Sequence, residues 1–270
     1  MPARSTTSPA PLPLSPDPTP PRRGAPAWAG LRVEDPLPSA RFYEHLLGWS
    51  IAQHADGLVA HAGGAPVAML APGRGWDSGR WFCFFAADRL EDERERVERL
   101  GGRILTRPRT TTGIGRSLLT EDPQGAFFGL MEPDQQRPAP TRQTPGALCW
   151  VELDTGAPSE SAGFYAELFD YATDELATPT GGRYLRLLLD GVPVAGILPL
   201  EDGPAAISAR WLAYFTVADV RAAVERARAQ GGTIVLGPLR SSVGELAIVR
   251  DPAGATFCIA APVSEEETTS

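Results

Sequence analysis

The chain has 270 residues, of which 43% are hydrophobic and 21% charged, so it is long enough for two domains that each bury a core. Its 33 acidic residues outnumber its 25 basic residues and give a formal net charge of −8, which argues against nucleic acid and anionic membranes as partners. The three cysteines, Cys83, Cys149 and Cys258, lie within apolar runs and do not form a disulfide framework pattern, so we expect a cytoplasmic protein.

The first 26 residues are rich in proline and serine and contain no apolar segment of the kind found in signal peptides. We predict that residues 1–26 form a disordered tail. No apolar run in the chain approaches the ~18 residues that a membrane-spanning helix requires, so no membrane partner is expected.

Residues 27–133 are predicted to form a first module of alternating strands and helices. An apolar strand begins at Trp28, and the helix that follows carries an apolar stripe that includes Phe42 and Tyr43. A second strand begins near Trp81, and a charged helix follows it. Each half of this module therefore starts with a strand and continues through a helix into further strands.

The second half of the chain repeats this pattern with the same spacing. In both halves Phe-Tyr follows a tryptophan by 14 residues, and Gly-Gly follows a later tryptophan by 20 residues. An Asp-Pro-x-Gly turn then joins the last two strands, because proline fixes φ and glycine permits a positive φ. The corresponding residues are Trp28 and Trp150, Trp81 and Trp211, Phe42 and Phe164, and Asp122 and Asp251. Matches in this order indicate a duplication, with a linker at 134–146, a second module at 147–262 and an acidic tail at 263–270.

These motifs, in this order and present twice, resemble the vicinal oxygen chelate superfamily, which includes glyoxalase I, extradiol dioxygenases and the bleomycin resistance protein. The nearest subgroup is the two-module actinobacterial proteins with tryptophan on the first strand, some of which belong to antibiotic gene clusters. The resemblance implies an α+β fold of two tandem βαβββ-type modules, with curved mixed sheets that enclose a cavity. It does not fix the chemistry, because this fold supports many functions.

The resemblance also implies where metal ligands would lie. Metal-dependent relatives carry His or Glu at positions that here hold Trp28 and Trp150, at positions near Trp81 and Trp211, and seven residues after the turn aspartate, at Gly129 and Cys258. Indole and glycine cannot ligate a divalent ion, and a single thiol makes no site. The histidines, His45, His54 and His61, lie off this pattern. We therefore expect neither a metal nor another cofactor.

An aromatic lining is the feature that replaces the ligands. Tryptophan offers a flat apolar face and one N–H donor, which suits planar ligands. The predicted ligand-binding residues are Trp28, Trp81, Trp150, Trp211, Phe127 and Cys258. The alternative is that the tryptophans fill the core.

One carboxylate is the candidate catalytic residue. Glu152 lies two residues after Trp150 and therefore on the same face of the strand, where it could act as a general base or accept a hydrogen bond. The alternative is a carboxylate at the rim of the strand. Arg183, Tyr184 and Arg186 are candidate polar contacts on a nearby strand.

Three functional hypotheses follow. The first is metal-independent binding of an aromatic small molecule, an antibiotic or polyketide intermediate, in resistance or as an accessory factor in antibiotic biosynthesis, with a tailoring enzyme as a further partner. The second is a metal-free enzyme, a cyclase, isomerase or hydroxylase, that uses Glu152 as its base. The third is a metalloenzyme of the glyoxalase or dioxygenase type. Monomer and homodimer both stay open.

Overall fold

A computed structural model describes residues 21–137, 139–177, 183–200, 209–241 and 244–261. Most of the first predicted tail, residues 1–20, and all of the second, residues 263–270, lie outside the described residues.

The first module forms one mixed sheet covered by two helices, α1 (Pro36–Leu47) and α2 (Leu90–Arg99). Its strands are β1 (Pro26–Val33), β2 (Ser50–His54), β3 (Gly57–Ala62), β4 (Ala65–Pro72), β5 (Arg80–Ala86), β6 (Arg103–Ile104), β7 (Arg109–Thr111), β8 (Gly115–Glu121) and β9 (Phe127–Pro133). They are ordered β2-β3-β4-β1-β5-β9-β8-β6, and β7 also pairs with β8. Since β1 is parallel to β4 and β5 is parallel to β9, the module consists of two βαβββ units joined through the antiparallel pair β1–β5.

The second module repeats this architecture around the helices α3 (Pro158–Phe169) and α4 (Val220–Ala229). Its strands are β10 (Leu148–Thr155), β11 (Ala172–Ala177), β12 (Arg183–Leu189), β13 (Val192–Pro199), β14 (Arg210–Thr216), β15 (Thr233–Ser241), β16 (Gly244–Arg250) and β17 (Thr256–Ala261). Their order is β11-β12-β13-β10-β14-β17-β16-β15. The predicted α+β class with two tandem βαβββ-type modules is therefore confirmed.

Alternation along the strands gives each sheet two different faces. In β1, Ala29 and Leu31 belong to the large apolar cluster under the helices, whereas Trp28 belongs to a separate cluster on the other side. We call the helix-covered side the core face and the other side the cavity face. In the first module Arg109 of β7 bonds Asp56 of the β2–β3 turn at 3.1 Å. This contact joins opposite ends of the sheet, so the first sheet is curved around its cavity face.

The two modules share one core. Helix α1 packs against α4 of the other module and α2 packs against α3, and one apolar cluster contains core-face residues from both modules. At its centre the rings of Trp81 and Phe215, and of Phe85 and Trp211, lie 5.0 Å apart between centroids. Contact between β5 and β14 thus brings the two sheets together along their core faces.

A reciprocal pair of hydrogen bonds fixes the modules to each other. The hydroxyl of Tyr43 donates to Asp251 of the second module, and that of Tyr165 donates to Asp122 of the first, each at 2.9 Å. Each aspartate also accepts a bond from a backbone N–H of its own turn, at 2.8 Å. The repeated Phe-Tyr and Asp-Pro-x-Gly motifs therefore have a structural role. We call each of these two tyrosine-to-aspartate contacts between the modules an interlock.

Residues 21–26, which were expected to belong to the disordered tail, pack against the folded part of the chain instead. The guanidinium of Arg23 bonds Glu93 of α2 and also reaches Asp170 at 2.7 Å, so it connects the two modules. Two carboxylates on one cation explain why this segment is held in place.

The longest helices, α1 and α3, have 12 residues each. Within the described ranges, no helix combines the length and the apolar character needed to cross a lipid bilayer.

Candidate functional site on the cavity face of the second module

Three side chains form a row across the central strands of the second sheet. Trp150 on β10 lies opposite Tyr214 on β14, and Tyr214 lies opposite Cys258 on β17. All three are buried in one apolar cluster on the cavity face. Trp150 and Cys258 were predicted to bind ligand, and the structure brings them together on either side of Tyr214.

Glu152 is held next to this row by two tyrosine hydroxyls. Tyr214 donates to Oε1 at 2.6 Å and Tyr184 donates to Oε2 at 2.8 Å. The indole N–H of Trp150 donates in turn to the Tyr184 hydroxyl at 3.1 Å. Gly196 makes this possible, because any Cβ at that position would overlap the Tyr184 hydroxyl. The result is a continuous hydrogen-bonded chain under the tryptophan.

The position of Glu152 makes its proton affinity unusually high. Burial raises the pKa of this carboxyl from its ordinary value to about 7, and the negative charge of Asp154 acts in the same direction, while the tyrosine hydrogen bonds oppose the rise. A carboxyl with such a pKa is present in both protonation states at neutral pH. It can therefore accept a proton from a bound molecule or donate one to it.

Asp154 is a second acidic group on this face, and sequence reasoning missed it. It lies two residues after Glu152, and its Oδ2 accepts bonds from Arg210 at 3.1 Å. Its Oδ1 is buried and has no hydrogen-bond partner among the described residues. Burial raises the pKa of Asp154 as well. The Glu-x-Asp spacing on a predicted strand was a signal that could have identified it.

Of the polar residues proposed on β12, only Tyr184 joins the site. Arg183 bonds Glu175 at 2.7 Å and Arg186 bonds Asp174 at 2.8 Å, so both guanidinium groups are engaged by carboxylates of the neighbouring strand. Three segments that adjoin strands of this sheet, residues 178–182, 201–208 and 242–243, lie outside the described residues.

The matching row in the first module is apolar. Trp28 lies opposite Phe84, and Phe84 lies opposite Gly129. A Cβ at Gly129 would overlap the Phe84 ring, and one at Gly30, the counterpart of Glu152, would also meet that ring at 2.9 Å. Phe84 therefore fills the space at the centre of the row. A cavity of about 150 Å³ remains beside it, below the size of common small-molecule sites.

Trp81 and Trp211 are not part of either row, in contrast to the sequence-based expectation. Both are buried on the core face, where their indole N–H groups donate to Tyr43 at 2.9 Å and to Tyr165 at 2.8 Å. The reason is parity: Trp81 precedes Phe84 by three residues, and residues an odd number apart face opposite sides of a strand. These two tryptophans are core residues, and each donates a hydrogen bond to the tyrosine of one interlock.

Phe127 lies at the edge of the cavity face of the first module. Its ring packs against Trp76 at 5.2 Å between centroids, and the guanidinium of Arg80 lies 4.9 Å above it. The Phe127 side chain is only partly buried, and Trp76 is exposed. Phe127 is thus apart from the candidate site in the second module.

The residues present do not fit the metal that the resemblance implies. Among the residues that the structure describes, no three His, Cys, Asp or Glu side chains are grouped so as to hold an ion. Burial raises the pKa of Cys258 well above its ordinary value, so this thiol stays protonated at neutral pH. His45, His54 and His61 lie on α1, β2 and β3, and none is on a strand that carries a row. The described part of either row therefore lacks the set of donors that a divalent ion requires.

Comparison with known proteins agrees with this architecture. The family model for the glyoxalase-like domain matches residues 28–131 and 150–260, once in each module. The chain belongs to this family, within the vicinal oxygen chelate superfamily, and carries two such modules.

Two sequence relatives and one solved structure are similar to the chain. The chain is 32% identical over 262 residues to the anthracycline biosynthesis protein DauV of Streptomyces sp. strain C5, with 87% of this chain and 92% of that protein covered. It is 28% identical over 256 residues to a Mycobacterium tuberculosis protein provisionally named glyoxylase CFP32, with 91% and 97% covered. The Mn(II)-bound glyoxalase from Novosphingobium aromaticivorans superposes with a TM-score of 0.63 at 18% identity, over 90% of this chain and 83% of that one, which shows a common fold.

Proposed function

We propose that the protein binds an aromatic small molecule of the polyketide type, without a metal, on the cavity face of the second module. The observation that carries this proposal is the chain from Trp150 through Tyr184 to Glu152, next to Tyr214. An indole face favours a planar ring system, and a carboxyl with a pKa of about 7 can exchange hydrogen bonds with a carbonyl or phenol group. The ligand would thus be planar and oxygenated.

The relatives support a biological setting for this proposal. DauV is named for anthracycline biosynthesis. Anthracyclines, as a chemical class, are planar, oxygenated polyketides. We propose that this chain acts on a similar class of molecule, either as a resistance factor that sequesters it or as an accessory factor that presents it to a tailoring enzyme.

Binding to metal-free protein tests the proposal. We would titrate protein treated with a chelator with 1,8-dihydroxyanthraquinone, following quenching of tryptophan fluorescence. Trp150→Leu should weaken binding by about tenfold, because it removes the stacking face. Trp28→Leu is the matched control, since it changes the corresponding, equally buried residue of the first module. Equal loss in both variants, or binding only when a metal is added, would contradict the proposed site.

A metal-free enzyme is the second candidate function, and the pKa of Glu152 favours it. A carboxyl that titrates near neutral pH is suited to remove or return a proton during a cyclisation or isomerisation. In this case Glu152→Gln keeps ligand binding but loses turnover of a polyketide substrate, measured by chromatography of the products. In the binding function, Glu152→Gln leaves the ligand chemically unchanged, as does the wild-type protein.

A further inference from the structure

A second cavity lies between the modules, and none of the residues that form the two rows is in its lining. It has a volume of about 370 Å³, within the range of pockets that hold small organic molecules. Its walls come from the segment before β1, the first residues of β1, the linker between the modules, and the strands β4, β10, β12 and β13. Prolines, leucines and valines form much of its surface, so the cavity accepts apolar groups.

The first polar feature of this cavity is Arg137 of the linker. Its guanidinium lies 4.8 Å above the ring of Trp28 and donates to the backbone carbonyl of Ala27 at 3.1 Å. Burial lowers the pKa of Arg137 to about 10, against the opposing effect of Asp134. Since even this pKa is well above neutral, Arg137 brings a fixed positive charge to the cavity.

Arg142 is the second cation of the linker and lines the same cavity. Burial lowers the pKa of Arg142, and the thiol of Cys149 opposes this effect. Burial also raises the pKa of Cys149 to about 11, so that thiol is neutral at physiological pH and gives Arg142 no counter-charge. Within the described part of the chain, no carboxylate lies within 4.0 Å of either guanidinium.

The remaining charges of the cavity cancel. Asp190 is the acidic residue in the described lining, and it is paired with Arg22 at 2.8 Å. Arg137 and Arg142 therefore leave a positive excess in a partly buried space. Partly buried guanidinium groups without a carboxylate partner are costly, and an anion that forms charge-assisted hydrogen bonds offsets that cost.

We infer that the cavity between the modules binds a small organic carboxylate, with Arg137 and Arg142 on its carboxylate group and the apolar walls around its hydrocarbon part. Guanidinium groups match the planar, two-oxygen geometry of a carboxylate. This site is independent of the proposed function, because it shares no residue with the row of the second module. Its ligand also differs in chemistry, since it must carry a negative charge.

Benzoate titrated into the full-length protein is the direct test, with calorimetry as the readout and benzamide as the uncharged analogue. We expect saturable 1:1 binding of benzoate and about tenfold weaker binding of benzamide, because the charge-assisted contacts are lost. Arg137→Gln and Arg142→Gln should each weaken benzoate binding by about tenfold. Arg228→Gln, on the exposed face of α4, is the matched control and should bind like wild type.

Two further variants keep the test decisive. Arg142→Lys retains the charge, so it should bind benzoate better than Arg142→Gln. Trp28→Phe should remove the fluorescence change caused by benzoate, because Trp28 lies against Arg137. Thermal melting confirms that every variant is folded.

Three results would overturn the inference. They are no saturable benzoate binding at millimolar concentration, equal binding of benzamide, and unchanged binding in the folded double variant of Arg137 and Arg142. A chain without residues 263–270 identifies a competing occupant: if benzoate binds only to that shortened chain, the acidic tail and not a small carboxylate is the natural partner.

Discussion

The core faces of the two modules are built alike, whereas their cavity faces differ. On the core face, each module has the same tryptophan-to-tyrosine-to-aspartate chain that crosses to the other module, with nearly equal distances. On the cavity face, the first module has Gly30 and Phe84 where the second has Glu152 and Tyr214. Both interlocks contribute to the common core, because each joins one module to the other. The residues that the modules share hold the common core, and we propose that the residues that diverge bind the ligand.

The largest effects on stability should come from removing the aspartates of the two interlocks on the core faces. Asp122→Ala and Asp251→Ala each leave a buried tyrosine hydroxyl and a buried backbone N–H without an acceptor. We expect each to lower the free energy of unfolding by about 3 to 4 kcal/mol, measured by chemical denaturation. The control Asp134→Ala removes one exposed turn contact and should cost less than about 1 kcal/mol. A large cost in one module with none in the other would show that the interlock is not equivalent.

Near neutral pH, a pH-dependent effect on stability should come from Glu152 in the second module. The folded-state pKa of Glu152, about 7, lies above the ordinary value of 4.5, so the folded state holds this proton more tightly than the unfolded state. Its contribution to stability is therefore full below pH 4.5 and is lost as the pH rises through about 7. The corresponding loss is about 3 kcal/mol.

Glu152→Gln removes this titration, so its stability relative to wild type should rise between about pH 4.5 and pH 8. Denaturant unfolding of both proteins across this range measures the difference. Parallel pH profiles for the two proteins would mean that Glu152 is ionised in the fold and that the contrast between the cavity faces has another origin.

The repeat and the fold class were predictable because they depend on spacing and turn chemistry, which are local properties of the chain. The position of Glu152 beside Trp150 was predictable for the same reason, since the two lie two residues apart on one strand, and its catalytic role stays a prediction. Tyr214 was missed because the side chain that completes a row depends on the register between β10 and β14. That register shifts between Leu148 and Trp150, a feature that no strand reveals alone.

The cavity between the modules was unpredictable for a different reason. Arg137 and Arg142 lie in a segment whose composition indicates a linker, and their charge becomes informative only once burial has removed solvent around them. Linker residues take part in a site only through the way that the modules pack, and no local pattern encodes that packing.

The smallest expected effects on the free energy of unfolding concern the last residue of each row, Gly129 in the first module and Cys258 in the second. Gly129→Ala adds a methyl group that overlaps the Phe84 ring, so we expect a loss of about 2 kcal/mol in the free energy of unfolding. Cys258→Ala removes a buried sulfur and should cost about 1 kcal/mol, because a small cavity replaces it.

Phe84→Leu provides the decisive control for Gly129→Ala, since a smaller side chain leaves room for the new methyl group. A double-mutant cycle by denaturant unfolding should therefore give a smaller cost for Gly129→Ala in the Phe84→Leu background. An unchanged cost in that background would mean that Phe84 does not fill the centre of the first row, and the first module would then have to be considered as a second ligand site.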